Sequence, residues 1–166
     1  MASLIVNLID VLKKQSELYD QITQLSTEKK QYLIKNDIGA LKEVTAKENV
    51  VASKAVRSDK ERLDIMHNIC IVLNKNKDDM TLTALADIIK NQPEYEDFAA
   101  AIKQAAGSVS AMKSINEENK ALIESSLEFI NYNINAIHSS MDTTPLSPYN
   151  DKDDLGASGS FLDING

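Results

Sequence analysis

The sequence predicts an all-α fold: an elongated antiparallel bundle of three long helices plus one short helix, followed by a disordered acidic tail. Three observations carry this. Prolines are nearly absent from the first 144 residues, where only Pro93 interrupts a chain able to sustain long hydrogen-bond ladders. Aromatic residues make up 5% and Trp is missing, a poor composition for sheets. Apolar residues recur at steps of three, four and seven rather than two.

The first helix is expected from about Ser3 to Lys35. Leu4, Val11, Leu18, Leu25 and Tyr32 fall seven apart, and Ile5, Leu12, Tyr19 and Leu33 form a companion row with Ser26 as its gap. Leu8 and Ile22 complete a stripe with Lys, Glu, Gln and Asp on the opposite side. Asn36-Asp37-Ile38-Gly39 interrupts it with residues that favour caps, turns and positive φ. A second pattern then runs from about Ile38 to Asn74 through Leu41, Val44, Val51, Ala55, Met66, Ile69 and Leu73. So short a break makes the first two helices an antiparallel hairpin. Glu48, Ser58 and Arg62 occupy positions on its seam, which reads as a loosely packed middle. Leu63 to Leu73 is apolar nearly all round and is expected to be covered from more than one side.

After the polar connector Asn74-Lys75-Asn76-Lys77-Asp78-Asp79, Thr81 or Thr83 is a candidate cap for a short helix. Its Leu82, Leu85, Ile88 and Ile89 are expected to lie over the apolar end of the hairpin. Pro93-Glu94-Tyr95-Glu96-Asp97 places proline and acids in a first turn. The last helix is expected from there to about His138, with Gly107 as a soft spot. Residues 142–166 hold five Asp, one Lys, two Pro and three Gly, a local net charge of −4, and read as a disordered tail. The domain reading is a helical-bundle domain over 1–140 and a flexible acidic tail over 141–166.

A formal net charge of −7 argues against a nucleic-acid partner, which needs a concentrated basic face, and against docking on an anionic membrane. No run of 18 apolar residues is available to span a bilayer, and no secretory signal is evident at Met1-Ala2-Ser3-Leu4, so a cytoplasmic location is expected. Cys70, alone in Ile69-Cys70-Ile71-Val72-Leu73, reads as a small buried hydrophobe. His67 and His138 are the only histidines and have no ligand spacing around them; the glycines are scattered, and the Asp pairs lie in solvated connectors. No catalytic residue, metal ligand or cofactor is expected.

Three features point to binding instead. On the last helix Ile123, Leu127, Ile130, Ile134 and Ile137 cluster within roughly 80° at 100° per residue, beside a second row of Ile115, Leu122, Phe129 and Ala136. Together they cover about half the circumference, wider than one neighbour requires. Both rows as bundle core, or part of them as a groove for a partner helix, are open readings. Asn116 and Asn119 sit in the same seam, where a polar residue either fixes register or simply faces solvent. The third feature is the polar middle of the hairpin, with room to adjust.

These patterns resemble the FlgN family of flagellar export chaperones. Asp37-Ile38-Gly39-Ala40-Leu41, leading to Glu43 and Lys47-Glu48, resembles the family's Asp-x-x-Ala-Leu break between two long helices. The run from Asn119 through Leu122-Ile123, Leu127 and Phe129-Ile130 to Asn131 is similar to its C-terminal Asn and Leu/Ile rows. Pro148-Tyr149-Asn150 with Gly156 is a stretched form of its Tyr-x-x-x-Gly segment, and Ser160-Phe161-Leu162-Asp163 resembles the hydrophobic end of some members. Residues 74–97 depart most. The resemblance implies a cytosolic chaperone of flagellar type III export that binds the C-terminal helical segment of hook–filament junction proteins of the FlgK and FlgL type. It would prevent their premature self-association and hand them to the export gate. The expected client surface is Leu122, Ile123, Leu127, Phe129, Ile130, Ile134 and Ile137, and Tyr149 is the candidate gate-docking residue. The free chain is expected to be a monomer or weak homodimer without membrane insertion. The rival readings are a self-associating structural coiled coil, and an adaptor of the export ATPase, which would normally lack the third and fourth segments.

Overall fold

In the computed structural model, which describes residues 1–76 and 80–142, the chain is all-α. Its four described helices are α1 (Ala2–Lys35), α2 (Ile38–Leu73), α3 (Leu82–Ile88) and α4 (Tyr95–Asp142). Two compact units divide the chain, Met1–Phe129 and Ile130–Gly166, and α4 contributes residues to both. The tail beyond Asp142, with its expected disorder and Tyr149, lies outside the described residues, as do Lys77, Asp78 and Asp79.

Within the first unit the helix ends follow from a few side chains. α1 stops where Asn36 turns left-handed, with φ of 54°, and the N–H groups of Asn36 and Asp37 bond back to Leu33 and Tyr32. Asn tolerates this conformation better than most residues, and the paired bonds satisfy carbonyls that the helix end would orphan. Asp37 then caps α2, its Oδ1 accepting from the Ala40 N–H at 3.0 Å. α2 ends in the same way: Asn74 has φ of 50°, and Asn74 and Lys75 bond back to Ile71 and Cys70. Of the two candidate caps for α3, Thr81 is the one used, accepting from the Ala84 N–H at 3.0 Å. α4 begins two residues after Pro93, with Glu96 and Asp97 in its first turn.

α1 and α2 pair antiparallel along their length, and ion pairs mark the register from Lys14–Glu61 to Lys29–Glu48. At one end of the hairpin lies the main core: Ile5, Leu8, Ile9 and Leu12 of α1, Met66 and Ile69 of α2, Leu85 and Ile89, and Phe98 and Ala101 of α4. The short helix therefore covers the apolar end of α2 through Leu82, Leu85 and the adjoining Ile89, whereas Ile88, expected to join them, is exposed. The cover is incomplete, because Leu63, Ile71 and Val72 remain exposed on the other sides of that end. Further along, a smaller cluster of Leu18, Ile22 and Ala55 meets Val51 and Met112. α4 thus runs alongside α1 in the same direction, bringing Phe98 to the core near Ile5 and Met112 to Leu18.

The polar seam of the hairpin is joined rather than loose. Gln15 donates to Asp59 at 3.4 Å, Asp59 pairs with Arg62 at 2.8 Å, and Glu48 takes both the Ser26 hydroxyl and the Lys29 ammonium. Ser58, also on the seam, is buried with its hydroxyl unpaired.

Candidate partner-binding surface

The first half of α4 is fixed by its buried face. Phe98, Ala101, Ala105, Met112 and Asn119 fall within about 60° of one another at 100° per residue. Phe98 and Ala101 join the main core, Ala105 packs against it, and Met112 packs against the second cluster. Asn119 is 3% exposed and donates through Nδ2 to the Ser26 carbonyl at 2.7 Å. Asn116 accepts from the Ser26 hydroxyl at 3.0 Å, and Lys30 pairs with Glu118 at 2.7 Å. Of the two readings of the seam asparagines, Asn119 takes the one in which a buried amide holds the helices together.

That node is the last buried point on α4 in the first unit. Ser26 lies level with Asn116 and Asn119, so at roughly 1.5 Å per residue α1 ends level with about residues 123–128 of α4. Ile123 and Leu127 keep the phase of the buried face yet are exposed, Phe129 is 67% exposed, and Leu122 is half-buried. The apolar row continues where the hairpin stops, so those side chains have lost their natural cover.

In the second unit, Ile130, Ile134 and Ile137 follow at the same helical spacing, each about half exposed, with Tyr132 more so. Ser139 donates to the carbonyl of Asn135 at 2.8 Å. The seven residues singled out in the sequence therefore all lie on α4, six of them exposed and Leu122 partly covered.

Sequence reasoning passed over Ile34 and Ile38. Both flank the hairpin turn and are exposed. The signal was two isoleucines either side of Asn36-Asp37, where a turn ordinarily carries polar residues.

Elsewhere the side chains offer little chemistry. A groove of about 600 Å³ between α1 and α2 is lined by mixed charges, among them Asp10, Lys14, Lys60, Glu61 and Asp64, with Lys14 and Glu61 paired at 3.0 Å. Cys70 is a buried free thiol, and His67 and His138 are exposed. Among the described residues no group of three or more His, Cys, Asp or Glu could hold a metal ion, and no helix is long and apolar enough to cross a membrane. Tyr19, beside Asp59 and Arg62, has its phenol pushed above the ordinary 10.0, first by burial and then by the Asp59 charge.

The family model described as "FlgN protein" matches residues 1–152. No curated protein and no solved structure matches the chain. FlgN proteins are chaperones and not enzymes, which accords with a chain whose conspicuous feature is an apolar helix face. The chain belongs to the FlgN family, and its general role is that of a flagellar export chaperone.

Proposed function

We propose that this protein is a cytoplasmic chaperone for hook–filament junction proteins of the FlgK and FlgL type, that it binds their C-terminal helical segment, and that it delivers them to the export gate. The single observation behind this reading is the row on α4 that continues the phase of its buried face and is left exposed. Leu122, Ile123, Leu127, Phe129, Ile130, Ile134 and Ile137 are the proposed client-binding residues. An amphipathic helix laid on such residues buries apolar surface worth ~25 cal/mol per Å². The exchange needs no nucleotide: the client helix is itself half of a coiled coil, and the chaperone supplies a temporary partner until assembly. Tyr149, outside the described residues, is the proposed gate contact.

The same exposed row favours a second reading, self-association through α4. A calorimetric titration with the C-terminal helical fragments of the two junction proteins, paired with light scattering, separates them. A 1:1 complex from a monomeric or weakly dimeric chain is expected. No heat of binding from a chain already dimeric or larger sinks the chaperone–client assignment and leaves the self-assembling coiled coil.

A further inference from the structure

We infer that the groove between α2 and α4, bordered at one end by the start of α3, is a second seat for a partner helix, which enters it as the fourth helix of the bundle. The inference rests on the client-binding reading, adds a separate contact to it, and lies wholly within the first unit, Met1–Phe129. At the core end the fourth position is already filled, since Leu85 and the adjoining Ile89 join residues of α1, α2 and α4. α3 is only 7 residues long, and at Leu82, where it starts, a cleft of about 260 Å³ opens between the helices. Leu12 and Tyr19 of α1 line it, with Asp59 and Arg62 of α2 on one side and Ile102 and Val109 of α4 on the other.

Both lips of the groove carry apolar side chains. Ile102 and Val109 stand seven apart on α4 and are partly buried. On α2 Leu63 is 43% exposed and borders a neighbouring hollow that shares Arg62 and Leu82 with the cleft. Val56, seven residues earlier on the same face of α2, is 70% exposed. The hairpin register that sets Gln15 beside Asp59 brings Val56 level with about Tyr19, beside the cleft. Neighbouring apolar side chains left in water at a groove mark a docking surface. The occupant follows from continuity with the α3 interface: at the core end the cover is a helix, and it stops at Thr81. Further along, Glu48 and Asn116 meet over Ser26, so the stretch from Leu12 to Ser26, roughly 20 Å, accepts about four turns of helix. Its middle is polar, because Gln15 and two nitrogens of Arg62 all bond to Oδ1 of Asp59. The partner is therefore an amphipathic helix with apolar residues at i, i+3 or i+4 and i+7, and with one polar side chain set opposite Asp59 and Arg62.

The test is a calorimetric titration of the full chain with a C-terminal helical fragment of a hook–filament junction protein, comparing the parent, Val56→Asp/Leu63→Asp, Ala106→Trp and Ile130→Asp/Ile134→Asp. Val56 and Leu63 are exposed, so the first variant is expected to keep a melting temperature close to the parent's and to bind about tenfold or more weakly. Ala106 is exposed on α4 and lines the cleft, so the larger side chain of Ala106→Trp fills the space the partner needs and should weaken binding to a similar extent. That variant keeps the comparison if the aspartates disturb α2. Parent-like affinity in the folded groove variants overturns the groove, and lost binding in the α4-row variant then leaves the client reading standing. A parent chain that takes up no fragment overturns the client reading and the groove with it.

Discussion

Asn119 on α4 donates its side-chain amide to the backbone carbonyl of Ser26 on α1 across 2.7 Å, and both residues are buried. This bond lies at the point where apolar packing gives way to polar attachment. Towards the main core α4 is held by Phe98, Ala101 and Met112; here it is held by Asn116, Asn119 and the Lys30–Glu118 pair. The Ser26 hydroxyl has one hydrogen and two acceptors within reach, Glu48 and Asn116, while Oδ1 of Asn119 has no partner. A node so incompletely satisfied is a specific but weak fastening.

Replacing Asn119 separates these two properties. Asn119→Ala removes the donor and opens a gap, and should cost about 1–2 kcal/mol in urea unfolding. Asn119→Leu also removes the orphaned carbonyl oxygen and fills the space, so it should recover most of that loss. If Leu is as damaging as Ala, the amide bond outweighs the orphan.

Helix existence and order were legible in this sequence because Asn36, Asp37, Asn74 and Thr81 are residues whose side chains and backbone preferences end or begin helices locally. The hairpin end of the core was legible for a similar reason: Leu85 and Ile89 had a matching apolar surface waiting on Met66 and Ile69. The middle was misread as loose. Periodicity reports that Glu48 and Ser26 are not apolar, but it cannot show that they lie opposite each other, 22 residues apart in the chain. The same blindness hid the end of cover on α4. Ile123 and Met112 look alike in a helical pattern, and only the packing shows that Met112 is covered and Ile123 is exposed.

Gly107 is an unforced weakness. A Cβ built on it meets nothing within 4 Å, so Gly107→Ala fits without any shift of its neighbours. The substitution should raise stability by about 1 kcal/mol, through the lower entropy of the unfolded chain and better helix propensity. A rise of several degrees in melting temperature is the readout. A fall would mean that the helix at this point does not accept a Cβ without strain.

Tyr19 sets an alkaline limit on stability. Burial favours the neutral phenol and the Asp59 charge adds to this, with Arg62 opposing, so the folded-state pKa lies above the unfolded value. The unfolded chain therefore loses its proton first. The contribution is fully present below pH 10.0 and is lost as pH rises through the folded-state value. Tyr19→Phe should abolish that part of the alkaline loss, making the difference in stability between variant and parent shift in the variant's favour above pH 10.0. A pH-independent difference across the same range would count against a half-buried phenol held neutral.

Phe98 anchors the start of α4 in the core with no exposed surface. Phe98→Ala should cost about 3–5 kcal/mol, the usual toll of a cavity at a site that cannot collapse. Because Phe98 belongs to a core cluster drawn from all four helices, unfolding should remain a single transition shifted to lower denaturant. Loss of less than about 1 kcal/mol would place the residue outside the core.

Ile130→Asp/Ile134→Asp tests the partner surface from the opposite direction. The two side chains are 51% and 46% exposed, so replacing them should leave helix content unchanged and stability within about 0.5 kcal/mol for each. Carboxylates there would have to be stripped of water beneath an incoming apolar helix, a cost of several kcal/mol that an interface of this size does not recover. Binding of the junction-protein fragment should therefore disappear while the circular dichroism spectrum and melting temperature stay as in the parent. Unfolding of the variant would instead make the row a part of the protein's own core. A folded variant that still binds would move the client site off this stretch of α4.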